Sequence, residues 1–99
     1  MTFEEIINSG KPVLVDFFAT WCGPCHAQTP ILEDLKKRIG EKASIIKIDV
    51  DKNRELAGKY NIMSIPTICI FYNGELVYRQ PGVHQATQLE SLLFDAMGR

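Results

Sequence analysis

The sequence predicts a single α/β domain, a sandwich whose sheet joins a central parallel pair of strands to an antiparallel hairpin. Three observations lead there. The apolar-rich runs Val13–Ala19 and Ser44–Val50 read as strands, and a segment with helical spacing separates them. Asn73-Gly74 stands between two further strand-like runs, the strongest short-range signal of a hairpin. Leu89, Leu92, Leu93, Ala96 and Met97 then form one apolar stripe on a closing helix, ended by Gly98.

Each element has a local cause. Thr2 and Glu5 have capping-box spacing, which predicts a short helix running to about Asn8, and Ser9-Gly10-Lys11-Pro12 stops it. Val13 to Ala19 is nearly continuous in apolar residues, as expected of a strand covered on both faces. It ends at Thr20-Trp21-Cys22-Gly23-Pro24-Cys25. A longer helix follows, because Ile31, Leu32, Leu35 and Ile39 recur at helical spacing before Gly40. Pro30 lies inside it and is expected to bend it, since proline removes a donor and crowds the preceding turn. Ser44–Val50 reads as a second buried strand, and Asp51 to Asn53 as the cap of a short helix carrying Leu56, Ala57 and Tyr60. Thr67–Tyr72 and Glu75–Gln80 are the arms of the hairpin.

Composition excludes several functions. Ninety-nine residues, 45% of them hydrophobic, suffice for one core without staples. The 11 basic and 12 acidic residues are interspersed, leaving no footprint for nucleic acid or an anionic membrane. No apolar run approaches the roughly 18 residues of a membrane-spanning helix. Three cysteines are too few, and odd in number, for a disulfide scaffold. Met1-Thr2-Phe3-Glu4-Glu5 is acidic and lacks the pattern of a secretory leader, so a cytoplasmic chain is the expectation.

The chemistry gathers at Cys22 and Cys25. A strand delivers the chain to Cys22 and a helix begins at once, so Cys22 falls at a helix N-terminus, where free N–H groups favour a thiolate. Two intervening residues put Cys25 about one turn on, facing the same side and within reach of a small disulfide ring. Pro24 suits a first helical turn, and Gly23 leaves the approach to Cys22 open. Two structural cysteines, or half of a zinc site, are the competing readings. Zinc wants four ligands, and His26, Cys69 and His84 are scattered without ligand spacing, so redox chemistry is favoured.

Val15-Asp16-Phe17-Phe18-Ala19-Thr20-Trp21-Cys22-Gly23-Pro24-Cys25 resembles the active-site segment of the thioredoxin family. The likeness continues through Pro30, Lys47, Asp51 to Asn53, Tyr60, Ser64-Ile65-Pro66-Thr67, Phe71-Tyr72-Asn73-Gly74-Glu75 and Gly82, almost the whole chain. It implies a thioredoxin fold, a central four-stranded mixed sheet flanked by helices on both faces, here lacking the usual N-terminal strand. Without that strand, Ser44–Val50 is expected to be an exposed edge, open to pairing with another chain.

The neighbours of the cysteines carry further expectations. Asp16 interrupts an apolar strand, and burial there would raise its carboxyl pKa towards neutrality; an acid reaching solvent at a strand edge is the alternative. The resemblance places Asp16 beneath the disulfide, assisting proton transfer at Cys25. Lys47 sits similarly within Ile45-Ile46-Lys47-Ile48, either modulating Asp16 from an adjacent strand or facing solvent. The resemblance also implies a cis Ile65-Pro66 bond facing the site, with the Ile65 backbone pairing an extended substrate segment. Trp21, Gly23, Pro24, Ile65, Pro66, Gly82 and Val83 would then form the substrate-binding surface.

Certain positions depart from the family pattern or stand outside it. His26 occupies a position where many relatives carry lysine, and reads either as a titrating charge near the thiols or as a solvated surface histidine. Pro81, before Gly82, is expected to stiffen the docking loop. Cys69 lies in an apolar strand and reads as an inert core thiol rather than a regulatory one. His84 reads as a loop residue.

The resemblance implies a thiol–disulfide oxidoreductase that reduces protein disulfides, with Cys22 as nucleophile and Cys25 as resolving thiol. Its partners would be disulfide-containing client proteins and a thioredoxin reductase, acting on a monomer, with no metal or organic cofactor. Gly-Pro between the cysteines supports the reducing direction. The rival readings are an oxidase or isomerase of an oxidising compartment and a non-catalytic binding subunit of the same fold.

Overall fold

A computed structural model describes residues 1–98. Its elements follow the predicted order: α1 (Phe3–Ile7), β1 (Val13–Phe18), α2 (Gly23–Ile39), β2 (Ser44–Asp49), α3 (Arg54–Lys59), β3 (Thr67–Tyr72), β4 (Glu75–Pro81) and α4 (Ala86–Met97). A single 3₁₀ turn, Gly40–Lys42, links α2 to β2. The sheet has the order β2-β1-β3-β4. β1 and β2 run parallel, and β3 pairs antiparallel with both β1 and β4. This is the thioredoxin fold, and no strand precedes α1 among the described residues.

β1 alternates between two cores. Val13, Val15 and Phe17 join Cys69 and Phe71 of β3 in a cluster with Ile7 of α1, against which Phe3, Leu56 and Tyr60 pack. Leu14 joins Ile68 and Ile70 of β3 on the other face, under Leu32, Leu35 and Ile39 of α2 and Leu89, Leu93 and Ala96 of α4. Asp16 is two residues from Leu14 and so faces the α2 side, because strand side chains alternate with a period of two. That parity aims a carboxyl towards the helix whose first turn holds both cysteines.

The local signals act as expected at most ends. Thr2 and Glu5 form both bonds of the capping box, 3.1 Å from the Glu5 N–H to Thr2 Oγ1 and 2.9 Å from the Thr2 N–H to Glu5 Oε1. Asn73 (φ 51°) and Gly74 (φ 84°) both lie in the left-handed region, as a type I′ hairpin turn requires. The Gly74 N–H also donates to the Ile7 carbonyl at 2.9 Å and pins the hairpin to the end of α1.

α2 runs unbroken through Pro30. The acceptor that the proline leaves free belongs to His26, an exposed residue, so solvent can satisfy it. β2 is an edge of the described sheet, as expected without a strand before α1, and is therefore only half-buried and not the buried strand that its Ile-rich run suggests. Asn53 sits at the N-cap of α3, but its side chain donates to the Asp49 carbonyl at 3.0 Å instead of capping the helix.

Candidate functional site

The site is built where β1 hands over to α2. Cys22 is extended (φ −91°, ψ 113°) and is the N-cap of α2, with its sulfur accepting from the Cys25 N–H at 3.2 Å. Pro24 occupies the first turn, where a missing N–H costs nothing. Cys22 and Cys25 are joined in a disulfide, with their Cα atoms 5.3 Å apart. Once the bond is reduced, the same N–H and the helix dipole favour a thiolate at Cys22 over a thiol. Both cysteines are nearly enclosed and pack with Ala19, Phe18, Val50 and Ile65.

Asp16 is fully buried, and neither carboxyl oxygen has a hydrogen-bond partner among the described residues. Burial pushes its carboxyl up to about 6, against a smaller opposing pull from the Lys47 charge. Lys47 is the register partner of Asp16 across the β1–β2 ladder. It is exposed, yet its ammonium is held by Thr29 Oγ1 at 2.7 Å and lies 4.6 Å from the Phe18 ring centroid. Lys47 thus faces solvent while its charge opposes the rise of the Asp16 pKa.

The Ile65-Pro66 bond is cis, and the Ile65 carbonyl oxygen lies 3.8 Å from Cys22 Sγ. Gly82, at φ 99°, donates its N–H to the Pro66 carbonyl at 2.8 Å, which brings the 82–83 loop beside the cis-proline loop. Trp21 is 71% exposed, on the rim and not in the core. Its indole N–H donates to Asp51 Oδ2 at 2.8 Å, which fixes the ring beside Cys22. A groove beside Cys22 is lined by Trp21, Gly23, Pro24, Val50, Met63 and Ile65, among others. Val83 is exposed as well.

The remaining candidates are also placed. His26 is exposed, with Nε2 2.9 Å from the Thr20 carbonyl oxygen. Pro81 ends β4, paired in register with Thr67. Cys69 is a free thiol in the core, and burial pushes its pKa up to about 12, with Arg79 opposing weakly. His84 is not a simple loop residue: it is 5% exposed and hydrogen-bonded at its main chain and at both ring nitrogens. Among the described residues, no three His, Cys, Asp or Glu side chains converge as a metal site, and no helix is long and apolar enough to cross a membrane.

Sequence reasoning missed Gln28, Met63 and the burial of His84. Gln28 carried a readable signal, since it falls in the helical stripe of Cys25, Leu32, Leu35 and Ile39 and is buried with them. Met63, 91% exposed on the groove, had none, because a single methionine between Ile62 and Ser64 reads as core or surface alike.

The family profile described as Thioredoxin matches residues 1–95. A thioredoxin-like protein of Synechocystis is 48% identical over 86 residues, 87% of this chain and 82% of that protein. A thioredoxin of Bacillus subtilis is 48% identical over 81 residues, 82% of this chain and 78% of its own. Among solved structures, a thioredoxin variant from Halobacterium salinarum superposes with a TM-score of 0.86 at 34% identity, covering 95% of this chain and 81% of that one. The oxidised mitochondrial thioredoxin 3 of Saccharomyces cerevisiae superposes with a TM-score of 0.84 at 30% identity, covering 94% and 86% of the two chains.

Proposed function

The chain belongs to the thioredoxin family and is a thiol–disulfide oxidoreductase, and from that premise we propose that it works as a reductant of protein disulfides. The observation that carries this reading is the position of Cys22 as N-cap of α2, its sulfur accepting from the Cys25 N–H at 3.2 Å. A thiolate so placed is ready to attack, and a second sulfur one turn away is ready to resolve.

In the proposed cycle the Cys22 thiolate attacks one sulfur of a client disulfide, and the other client sulfur leaves as a thiolate. The Cys25 thiol gives its proton to the Asp16 carboxylate, whose pKa near 6 suits exchange around neutral pH. Cys25 sulfur then attacks Cys22 Sγ, the mixed disulfide breaks, and the second client sulfur departs. Two electrons have passed to the client, and the protein is left with its Cys22–Cys25 disulfide. That disulfide is the redox-active group of the protein. A thioredoxin reductase returns it to the dithiol. Lys47 limits the rise of the Asp16 pKa in this reading.

The client docks across Trp21, Gly23, Pro24, Ile65, Pro66, Gly82 and Val83. The Ile65 backbone, whose carbonyl lies beside Cys22 Sγ, offers itself to an extended client segment as to an added strand. A reductant of this kind works in a reducing compartment, so the cytoplasm is the proposed location and a monomer the proposed working form.

Insulin-disulfide reduction tests the reading, with Cys22→Ser as control. Turnover by the wild type and its loss in Cys22→Ser are expected; equal rates would overturn the assignment. The equilibrium redox potential tests the direction, and a value well above the cytosolic glutathione poise would make the protein an oxidant instead.

A further inference from the structure

Gln28 and His84 are buried polar residues that the redox chemistry does not use. They are paired on both sides. The His84 main-chain N–H donates to Gln28 Oε1 at 2.8 Å, and Gln28 Nε2 donates to the His84 carbonyl at 3.0 Å. One amide thus matches the main-chain N–H and carbonyl of one residue, donor to acceptor and acceptor to donor, which fixes its orientation.

The imidazole extends the network. His84 Nδ1 lies 2.8 Å from the Gly82 carbonyl oxygen, which can only accept, so Nδ1 carries the proton. Nε2 is 2.8 Å from the Tyr78 hydroxyl, which completes the pairing of the ring. Gly82 in turn donates its own N–H to the Pro66 carbonyl at 2.8 Å. An unbroken path of hydrogen bonds and main chain therefore runs from Gln28 through His84 and Gly82 to the cis-proline loop. Gln28 stands three residues after Cys25 on α2, so one end of the path is anchored in the helix that carries both cysteines.

A buried glutamine and histidine cost desolvation that an apolar pair would avoid, and complete pairing only offsets that cost. What the polar arrangement adds is direction. Gly82, at φ 99°, has no side chain to anchor the loop, and Val83 is exposed, so the loop gains its position from the His84 bonds.

We propose that Gln28 and His84 are positioning residues for client docking, locking the Gly82–Val83 loop to the cysteine helix and to the cis-proline loop. The inference rests on the reading of Gly82 and Val83 as client contacts.

The test compares two substrates of the reduced protein. Gln28→Met keeps the unbranched volume and removes both amide bonds. Its rate constant with insulin is expected to fall about fivefold, while that with the small disulfide 5,5′-dithiobis(2-nitrobenzoate) stays within about twofold, since a small disulfide needs no docking loop. Amide exchange at Gly82 in the oxidised protein should rise in the same variant. His84→Leu, which keeps the main-chain pair and removes the ring bonds, covers the case in which Gln28→Met does not fold, and should shift the ratio of rates the same way. An unchanged ratio in the folded variants, or a parallel fall with both substrates, overturns the proposal, as does unchanged exchange at Gly82. A wild type inactive on insulin but active on the small disulfide would instead overturn the client reading, and the docking role with it, whatever the exchange data show of the hydrogen bonds.

Discussion

Asp16 and Lys47 face each other across the parallel β1–β2 ladder, yet the Lys47 ammonium goes to Thr29 Oγ1 and the Phe18 ring, and the carboxyl has no hydrogen-bond partner among the described residues. The pair is therefore an attraction at a distance and not a salt bridge. Burial outweighs it, and the carboxyl protonates at about 6.

Stability must then depend on pH through this one group. An unfolded aspartate titrates near 3.9, so between about pH 4 and pH 6 the native state keeps a proton that the unfolded chain has released. Stability falls as pH rises through that window, and above it the penalty is complete. Asp16→Asn removes the charge, so relative to wild type it should gain on the order of 2–3 kcal/mol between pH 3.5 and pH 8. Urea unfolding of the oxidised protein at both values reads the difference, which cancels the pH-independent cost of a buried amide. The same relative stability at the two values would show that Asp16 is not the group responsible.

Cys25→Ser separates attack from resolution. A serine hydroxyl cannot displace a sulfur here, so adducts between Cys22 and insulin chains should accumulate and survive non-reducing electrophoresis. Cys22→Ser should give none, because Cys22, the N-cap of α2, lines the groove beside Trp21 and Ile65 and Cys25 does not. Adducts through Cys25 in that second variant would reverse the assigned roles.

What was legible in the sequence was local. The start of α2 could be placed because a strand, Cys22 and Pro24 follow one another, and the hairpin because Asn73-Gly74 accepts two positive φ angles. Asp16 stood out because apolar residues flank it, and it is buried as that pattern implied. The half-burial of β2 was not legible in its own Ile-rich run, which reads alike at the centre and edge of a sheet; it followed only from the resemblance, which put no strand before α1 and so made β2 an edge. Nor was the Gln28–His84 pair, whose members are 56 residues apart and complement each other through a main-chain unit that no side-chain pattern encodes.

Gly74 should tolerate no side chain. Its φ of 84° is a strained conformation for an L residue, and an added Cβ would run into the Asn8 side chain. Gly74→Ala should cost roughly 1–3 kcal/mol, more than the loss of left-handed freedom alone. Asn8→Gly in the same chain removes the obstacle and should recover the steric share. Denaturant midpoints of the two variants check this, and additive costs would mean the two residues do not meet.

Cys69 should behave as a core residue and not as a third redox thiol. It is fully buried between Val15 and Arg79 in the sheet register, and burial pushes its pKa up to about 12, leaving almost no thiolate at neutral pH. The native reduced protein should therefore take up iodoacetamide at Cys22 first, and at Cys69 at least about a hundredfold more slowly, through opening of the sheet. Cys69→Ala should lower stability by about 1 kcal/mol through the small cavity it leaves, with insulin reduction unchanged. Mass mapping of the alkylated peptides reads the order of modification, and early labelling at Cys69 would show that β3 opens far more readily than its buried position between β1 and β4 implies.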